Sequence, residues 1–430
     1  MAADNLVIFY NDFIDSDNLA AALALARATN KRAATRVVWI LEPRQVSLGL
    51  DMTPDQIARC KALLQKYFAS RGNPFKLLLG GLLDQHDVDS ISDIDAEERS
   101  LLQLAVKPAY GPKEDAQLHG NLMAWDFAEC LAGWSYTSST EVFVDLDTLE
   151  EIENPVNLNM HHHEELINRD EDELATYQRI MQQSYPQRVD SLRGWYRECI
   201  ASKQKARNPH VSVQSLQFEK LCQDVAKATN VRFFGGSSLR ILRKFIDAGV
   251  APRIQCNIQA GSSDLSANLF PTQFNIALNK KAAKFVLGHH TEFKSFTIVP
   301  SQTAQSITYS VLGLQGNGGL RLGKRILGFN CRESPLAIAS KNVTIEKNYS
   351  DKAYSMPDLT AFLCALVPGY MGCKTGFVEI MAQDETLLLH PSDSGIPIYD
   401  MGGSKSLSSS EASGLLWALQ YGNPDAVAVG

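Results

Sequence analysis

Two aspartates that follow the first apolar segment are the residues best placed to do chemistry. Asp12 and Asp17 flank a short acidic turn between the apolar residues 6–10 and an alanine- and leucine-rich segment. A strand, turn and helix of this kind would direct both carboxylates into the crevice beyond the carboxyl end of a sheet strand, where open α/β sheets bind ligands. Carboxylates that converge there repel each other unless they share a cation or a proton. The simpler interpretation is a helix N-cap formed by Asp15, Ser16 or Asp17.

Strands and helices that could position these residues alternate along the first part of the chain. Residues 6–10, 36–41 and 75–79 are predicted strands, and residues 19–28 and 54–68 are predicted helices. This alternation predicts the α/β class, with an open, mostly parallel sheet and flanking helices.

The alternation stops at about residue 131, and the chain is charged and polar to about residue 209. Within this stretch, residues 171–205 have apolar residues near helical spacing and predict one or two long helices. We therefore expect a single α/β domain over residues 1–430 with a helical insertion at 131–209. The insertion is expected to pack on the rim of the domain or against a second subunit.

The segment around Asp12 resembles the N-terminal signature of the calcium-dependent nucleoside hydrolases, the inosine-uridine-preferring family, which reads D-T-D-P-G-x-D-D-A-L-A-L. The resemblance implies that Asp12 is the general base and a calcium ligand, and that Asp17 is the bidentate calcium ligand. It places Ser16, with Asp15 one step away, at the ribose 2′-hydroxyl. Tyr10 replaces the family's first aspartate.

A second alignment of this segment is possible. A register shifted by one residue puts Phe13 at the base position and Asn18 at the bidentate position. We prefer the unshifted register because it keeps the strand and the helix in phase.

Residues 267–276 resemble the family motif G-N-x-x-P-x-A-E-F-N-I, with one residue fewer after the proline. The resemblance implies that Asn268 and Gln273 hold the ribose 5′-hydroxyl and that Asn275 holds the 3′-hydroxyl. Gln273 stands where the family has Glu, which keeps a hydrogen-bond acceptor and adds a donor.

Residues 356–363 resemble the family's H-D-P-L-A-V or W-D-A-L-T-A segment, in which the aspartate completes the calcium site and contacts the substrate. Asp358 takes that role here. Pro357 stands where characterised branches have the His or Trp associated with activating the leaving base. On its own, the segment also fits a helix that starts with Pro and carries Asp in its first turn.

Looser matches place the Phe234 carbonyl near the metal and align residues 118–121 with the family's H-G loop. The resemblance covers about residues 5–130 and 210–402.

Composition excludes several classes of protein. The chain has 430 residues, 45% of them apolar and 21% charged, which is typical of a globular protein. A net charge of −7 argues against a nucleic-acid-binding protein. No apolar run has the length of a membrane helix, the N-terminus leaves no room for a signal peptide, and the eight scattered cysteines favour reduced thiols. We expect a cytoplasmic protein that binds neither nucleic acid nor membrane.

Two further segments have the residue types of functional sites. Residues 161–165, His-His-His-Glu-Glu, invite a metal site, but consecutive side chains on a helix diverge, so we favour a solvated helix start. Residues 313–325 are rich in glycine and basic residues but miss both standard phosphate-loop spacings. We interpret them as a flexible hairpin or lid.

The function that the resemblance implies is hydrolysis of the N-glycosidic bond of a ribonucleoside or related ribosyl metabolite. The expected cofactor is Ca²⁺, which takes several oxygen ligands, and the expected partners are a small ribosyl substrate and further copies of the chain. Two alternatives remain. One is a catalytically decayed protein of the same fold that binds a ribosyl ligand or another protein. The other is an enzyme with a changed substrate, such as a phosphorylated nucleoside.

Overall fold

The computed structural model describes residues 5–12, 15–30, 35–43, 54–68, 88–89, 91–106, 113–134, 140–150, 171–206, 210–266, 272–330, 352–381 and 386–421. Within these ranges ten strands form one sheet in the order β11-β10-β12-β7-β6-β5-β1-β2-β3-β4. The strands from β12 to β4 are parallel, and β10 and β11 add an antiparallel edge. Three short strands form a second sheet in the order β13-β8-β9.

The strands are β1 Asn5–Asn11, β2 Thr35–Leu41, β3 Thr140–Val144, β4 Val211–Ser215, β5 Asn230–Gly236, β6 Ile254–Gln259, β7 Ser295–Val299, β8 Ile307–Ser310, β9 Ala353–Ser355, β10 Lys374–Glu379, β11 His390–Ser392, β12 Ile396–Asp400 and β13 Lys405–Leu407.

The α-helices are α1 Ser16–Thr29, α2 Pro54–Phe68, α3 Ala96–Val106, α4 Lys113–Gly133, α5 Glu171–Met181, α6 Tyr185–Lys205, α7 Phe218–Lys227, α8 Arg240–Asp247, α9 Phe274–Ala277, α10 Lys280–Gly288, α11 Ser301–Ala304, α12 Val311–Asn330, α13 Pro357–Leu366, α14 Pro368–Met371 and α15 Ser409–Tyr421. Short 3₁₀ turns span Leu146–Glu150, Ala251–Arg253 and His290–Glu292.

Both faces of the large sheet are buried, because a hydrophobic core lies on each of them. Successive side chains of a strand point to opposite faces and so enter different cores. On β1, Val7 and Phe9 face a core built with α1, α4, α12, α13 and α15. Leu6 and Ile8 face a second core built with α7, α8 and α10. Strands buried on both faces are almost continuously apolar, which is the pattern of Leu6–Tyr10 in the sequence.

The order in which the chain adds strands to the sheet changes direction between β1 and β5. From β1 the chain adds β2, β3 and β4 on one side, and from β5 it adds β6 and β7 on the other. The helix after β1, α1, covers one face of the sheet, and the helix after β5, α8, covers the other. Their divergence opens a crevice at the carboxyl ends of these two strands, which is where open α/β sheets bind ligands.

The predicted fold class is confirmed. The strands β1 and β2 and the helices α1 and α2 lie where the sequence predicted them, whereas residues 75–79 lie outside the described residues. No described helix is long and apolar enough to span a membrane.

The segment 131–209 contains more than the helices that the sequence predicted. Helices α5 and α6 are confirmed, but residues 140–144 form β3, which pairs with both β2 and β4 inside the large sheet. The charged surroundings hid this five-residue strand. Helix α6 packs on α4, where Arg193 donates two hydrogen bonds to the buried Asp115 (2.7 and 3.0 Å).

Two predicted loops are helical. Residues 313–325 belong to α12, with a kink at Gly319 (φ 76°), so the hairpin or lid prediction was wrong. Residues 118–121, aligned with an H-G loop, lie inside α4. Helical glycines misled both interpretations, because Gly120 and Gly313 permit close approach of Pro43 and Ala412, respectively, rather than forming turns. Residues 161–165, which we interpreted as a solvated helix start, lie outside the described residues.

Candidate functional site

Asn11, the last residue of β1, lies at the centre of the crevice. Its Oδ1 accepts a hydrogen bond from the backbone N–H of Gly236 (3.1 Å), at the end of the neighbouring strand β5. Its Nδ2 donates to Asn18 Oδ1 and lies 3.5 Å from Asp358 Oδ2. One amide thus connects β1, β5, α1 and α13.

Three carboxylates converge beside Asn11. Asp15 is the N-cap of α1 and accepts a hydrogen bond from the Asn18 N–H (3.1 Å), so the capping interpretation of the sequence is confirmed. The Asp15 and Asp17 carboxylates are close enough for the charge of Asp17 to act on Asp15. Asp17 Oδ2 accepts a hydrogen bond from the backbone N–H of Asp358 (3.3 Å), in the first turn of α13.

Like charge and burial both act on this cluster. Burial, followed by the charge of Asp17, raises the pKa of Asp15 well above its ordinary value. The same two causes raise the pKa of Asp358. A group of carboxylates with raised pKa values favours the uptake of a proton or a cation.

Asp12 lies one step away from this cluster. Its Oδ1 accepts a hydrogen bond from Asn18 Nδ2 (3.1 Å), and Asn18 in turn accepts from Asn11. Asp12 also lines a neighbouring cavity of about 260 Å³ together with His119 and Pro43. The residue predicted as general base therefore joins the crevice through an asparagine side chain.

The crevice has a volume of about 270 Å³. Its polar lining is Asn11, Gly236, Asn257, Gln259 and Asp358, and its apolar lining includes Phe9, Phe234 and Phe362. Gly236 is required by the close approach of α13, because a Cβ at this position would overlap the Asp358 carboxylate.

Two of the residues predicted to hold the ribose, Asn275 and Gln273, contact Gln259, which lines the crevice. Asn275 Nδ2 donates to the Gln259 side chain (2.6 Å) and to its backbone carbonyl (2.8 Å). Gln273 Nε2 lies 3.5 Å from Gln259 Oε1, and Gln273 Oε1 caps α9 by accepting from the Ile276 and Gly261 N–H groups (3.3 and 3.2 Å). Asn268 lies outside the described residues.

Ser16 and Phe234 lie at the edges of this arrangement. Ser16 is buried at the first position of α1. Phe234 lies two residues before the end of β5, and its ring packs on Phe362 with the centroids 4.6 Å apart.

Behind the crevice, the other face of the sheet holds a buried polar network. Glu42, directly after β2, accepts hydrogen bonds from the hydroxyls of Thr148, Ser237 and Ser238 and from the Ser238 N–H. Asp145, directly after β3, accepts from Tyr10 (3.0 Å) and Arg240 (2.9 Å). Burial raises the pKa of Asp145 to about 6, although Arg240 acts in the opposite direction.

The sequence interpretation missed Asn11 and Gln259 as site residues and named Asn18 only in the shifted register. Only their positions in the sequence could have indicated a site, because each is a polar residue at the end of a strand or the start of a helix. In the described part of the chain, no group of three or more His, Cys, Asp or Glu side chains forms a metal-binding cluster.

Neither a protein-family model nor a curated protein sequence matches this chain. Solved structures align with it over nearly its whole length. The inosine-uridine-preferring nucleoside hydrolase from Bacillus anthracis is 10% identical, covers 97% of this chain and 100% of its own, and gives a TM-score of 0.48.

Two more structures align at the same low identity. The type III effector protein XopQ, solved with adenosine diphosphate ribose, covers 99% of this chain and 95% of its own at 10% identity and a TM-score of 0.41. An inosine-guanosine nucleoside hydrolase covers 96% of this chain and 98% of its own at 10% identity and a TM-score of 0.39.

Proposed function

We propose that this protein hydrolyses the N-glycosidic bond of a ribonucleoside or a related ribosyl metabolite with the assistance of Ca²⁺. The observation that supports the proposal is the meeting of Asp15, Asp17 and Asp358 at the crevice between β1 and β5. The three residues come from motifs that resemble the calcium-binding motifs of the nucleoside hydrolases.

The types of donor suit calcium, although the described carboxylates are not gathered into a metal-binding cluster. They are carboxylate and amide oxygens, the ligands that a hard cation prefers. Burial and then the charge of Asp17 raise the pKa values of Asp15 and Asp358, and a divalent cation would relieve the repulsion between these carboxylates. Asp17 and Asp358 would hold the ion, with Asp12 and the Phe234 carbonyl as further ligands. Bound calcium would supply the positive charge that makes a water more acidic.

The residues of the chain would supply the remaining chemistry. Asp12 would accept the proton of the attacking water as general base. Asp15 or Ser16 would hold the ribose 2′-hydroxyl, Asn275 the 3′-hydroxyl, and Asn268 and Gln273 the 5′-hydroxyl. Asp358 would also contact the substrate. The aromatic side chains of Phe9, Phe234 and Phe362 give the crevice an apolar wall.

Ribose release from a panel of ribonucleosides, with calcium and with chelator, tests this proposal. Asp12→Asn should lower the rate by about 10²–10⁴-fold, the usual contribution of a general base, while substrate binding stays within about tenfold. The exposed Asp393 offers a matched control, since Asp393→Asn removes the same charge outside the crevice. Equal rates for Asp12→Asn and wild type would refute the role of Asp12.

A second candidate is a binding protein of the same fold without catalysis. Two observations favour it: Gln273 Oε1 is already engaged by two backbone N–H groups, and Pro357 can neither donate a proton nor stack as an indole does. Ribosides that bind without release of ribose from any member of the panel would establish this alternative.

A further inference from the structure

Arg232 of β5 carries a positive charge that no acidic side chain of the described residues balances. Its Nε and Nη1 atoms are buried and form no hydrogen bond, and its guanidinium forms no ion pair within the described part of the chain. Burial lowers the pKa of Arg232, with Tyr399 of β12 acting in the opposite direction. A guanidinium stays protonated in proteins, so losing a proton cannot relieve the cost of burying its charge. A bound anion would relieve it.

Two other buried cations of this chain show the usual arrangement. Arg240 lies 2.9 Å from the Asp145 carboxylate, and Lys203 lies 2.9 Å from the Asp126 carboxylate. Buried charges are normally paired in this way, because an isolated charge in the protein interior is strongly destabilising. Arg232 departs from this pattern.

Arg232 lies on the face of the sheet that lines the crevice. Residues two apart on a strand share a face, and Phe234, two residues further along β5, lines the crevice. On the neighbouring strand β6, Gln255 is paired with Arg232, and Asn257 is paired with Phe234. Asn257 also lines the crevice. The row of Arg232 and Gln255 is therefore the next one along the strands, at a distance of about 6.6 Å.

These two rows are polar on β6, where a sheet covered on both faces is normally apolar. Ile254, Cys256 and Ile258 of β6 face the second core. Gln255 and Asn257 point to the opposite face, where both are half-buried. Neither side-chain amide forms a hydrogen bond with the described residues. Two amides with free N–H groups thus lie beside the unbalanced guanidinium.

We propose that Arg232, together with Gln255 and Asn257, binds a phosphate group at the edge of the crevice. The planar guanidinium presents its N–H groups as a fork that matches two phosphate oxygens. The amides of Gln255 and Asn257 can donate to the remaining oxygens. This binding does not require hydrolysis. The identification of a phosphorylated ribosyl compound as the substrate class rests, in addition, on the proposed function.

Titration calorimetry on the whole chain tests the site with three probes: inorganic phosphate, ribose 5-phosphate and ribose. Chelator in every sample prevents calcium from recruiting phosphate to the aspartates, so the result is independent of the proposed catalysis. We expect ribose 5-phosphate to bind more tightly than either ribose or inorganic phosphate. Equal affinities for the two phosphate probes would support the phosphate site but overturn the assignment of a phosphorylated substrate.

Variants of Arg232 separate this site from a general effect of charge. Arg232→Met removes the charge and should weaken the binding of both phosphate probes roughly 10–100-fold, the usual loss for a hydrogen bond to a charged group. Arg232→Lys keeps the charge without the fork and should lose less. Arg243→Gln is the matched control, since Arg243 lies on α8, which covers the opposite face of the sheet, and is 46% exposed. Its affinity for phosphate should equal that of wild type.

The melting temperature without phosphate gives a second readout. Because an unbalanced buried charge destabilises the protein, Arg232→Met should melt at the same temperature as wild type or higher. A clearly lower melting temperature would show that the guanidinium already has stabilising contacts, and it would overturn the proposal. Two other results would do the same: wild type that binds neither phosphate probe, and equal losses of affinity in Arg232→Met and Arg243→Gln.

Discussion

Asp17 is the residue on which the charge of the candidate site depends. Its carboxylate accepts a hydrogen bond from the backbone of Asp358, and its charge, after burial, raises the pKa values of Asp15 and Asp358. If the proposed calcium site exists, its occupation stabilises the folded state by mass action, by about 2.7 kcal/mol at a calcium concentration of 100 times Kd.

We expect calcium to raise the melting temperature of the wild type and chelator to abolish the gain. Asp17→Asn, which replaces a charged ligand with a neutral one, should lose most of that gain, whereas Asp393→Asn should keep it. Thermal unfolding followed by circular dichroism measures both. Identical melting temperatures of the wild type in saturating calcium and in chelator would rule out the site.

Asp145 makes the stability of the protein depend on pH. Its pKa is about 6 in the folded protein against 3.8 when exposed, so the folded state holds the proton more tightly. Stability therefore falls as the pH rises from about 4 to about 6, by about 3 kcal/mol for this group, at about 1.4 kcal/mol per pKa unit.

Asp145→Asn removes this titration and retains an acceptor for the Tyr10 hydroxyl. The free energy of unfolding of wild type should fall relative to that of the variant between about pH 4 and pH 6. Urea unfolding at a series of pH values provides the comparison. Parallel curves for the two proteins would show that Asp145 does not titrate in this range.

Among the elements, α13 and β5 approach so closely that only glycine fits between them. A methyl group on Gly236 would overlap the Asp358 carboxylate, so Gly236→Ala should displace this side chain and abolish stabilisation by calcium. Gly316, an exposed position of α12 with open space around it, is the control. Gly316→Ala should stabilise the protein by about 0.5–1 kcal/mol and retain the calcium response. A full calcium response in folded Gly236→Ala would contradict this geometry.

The last helix, α15, begins with a capping box, which the Ser-x-x-Glu spacing of residues 408–411 predicts from the sequence. The Glu411 N–H faces Ser408 Oγ at 3.4 Å, and the Ser408 N–H donates to the Glu411 carboxylate at 2.9 Å. Ser408→Ala should lower the free energy of unfolding by about 0.5–2 kcal/mol, whereas Ser408→Asp should largely preserve it. Chemical denaturation of the two variants measures the difference, and equal losses would show that the side-chain cap contributes nothing.

At the scale of the whole molecule, helices α5 and α6 are part of the principal core. Tyr196 of α6 is fully buried in the cluster that also contains Phe9 and Trp39 of the central strands. Tyr196→Ala should cost about 3–5 kcal/mol by analogy with other large aromatic truncations. Trp417→Ala, at a side chain that is 61% exposed, should change stability by less than about 0.5 kcal/mol. Equal effects in urea unfolding would show that α6 is an appendage.

The sequence predicted what local pattern determines. Apolar runs identified β1 and β2, helical spacing identified α1, α2, α5 and α6, and the Ser-x-x-Glu pattern identified the cap of α15. Contacts between residues far apart in the sequence could not be predicted from it. The role of Asn11 depends on Gly236 and Asp358, and β3 is recognisable only beside β2 and β4. The metal, the ribose contacts, the oligomeric state and the cytoplasmic location stay predictions.

The position of β1 also determines when the site can form during synthesis. This strand pairs on one side with β2 and on the other with β5, where Asn5 lies opposite Asn230. On the ribosome, one edge of the apolar strand β1 therefore stays unpaired until more than half of the chain has emerged. Pairing over such a separation is slow, and an exposed strand edge promotes aggregation. We expect the yield of folded protein to depend on the rate of translation and on chaperones that shield β1 until β5 arrives.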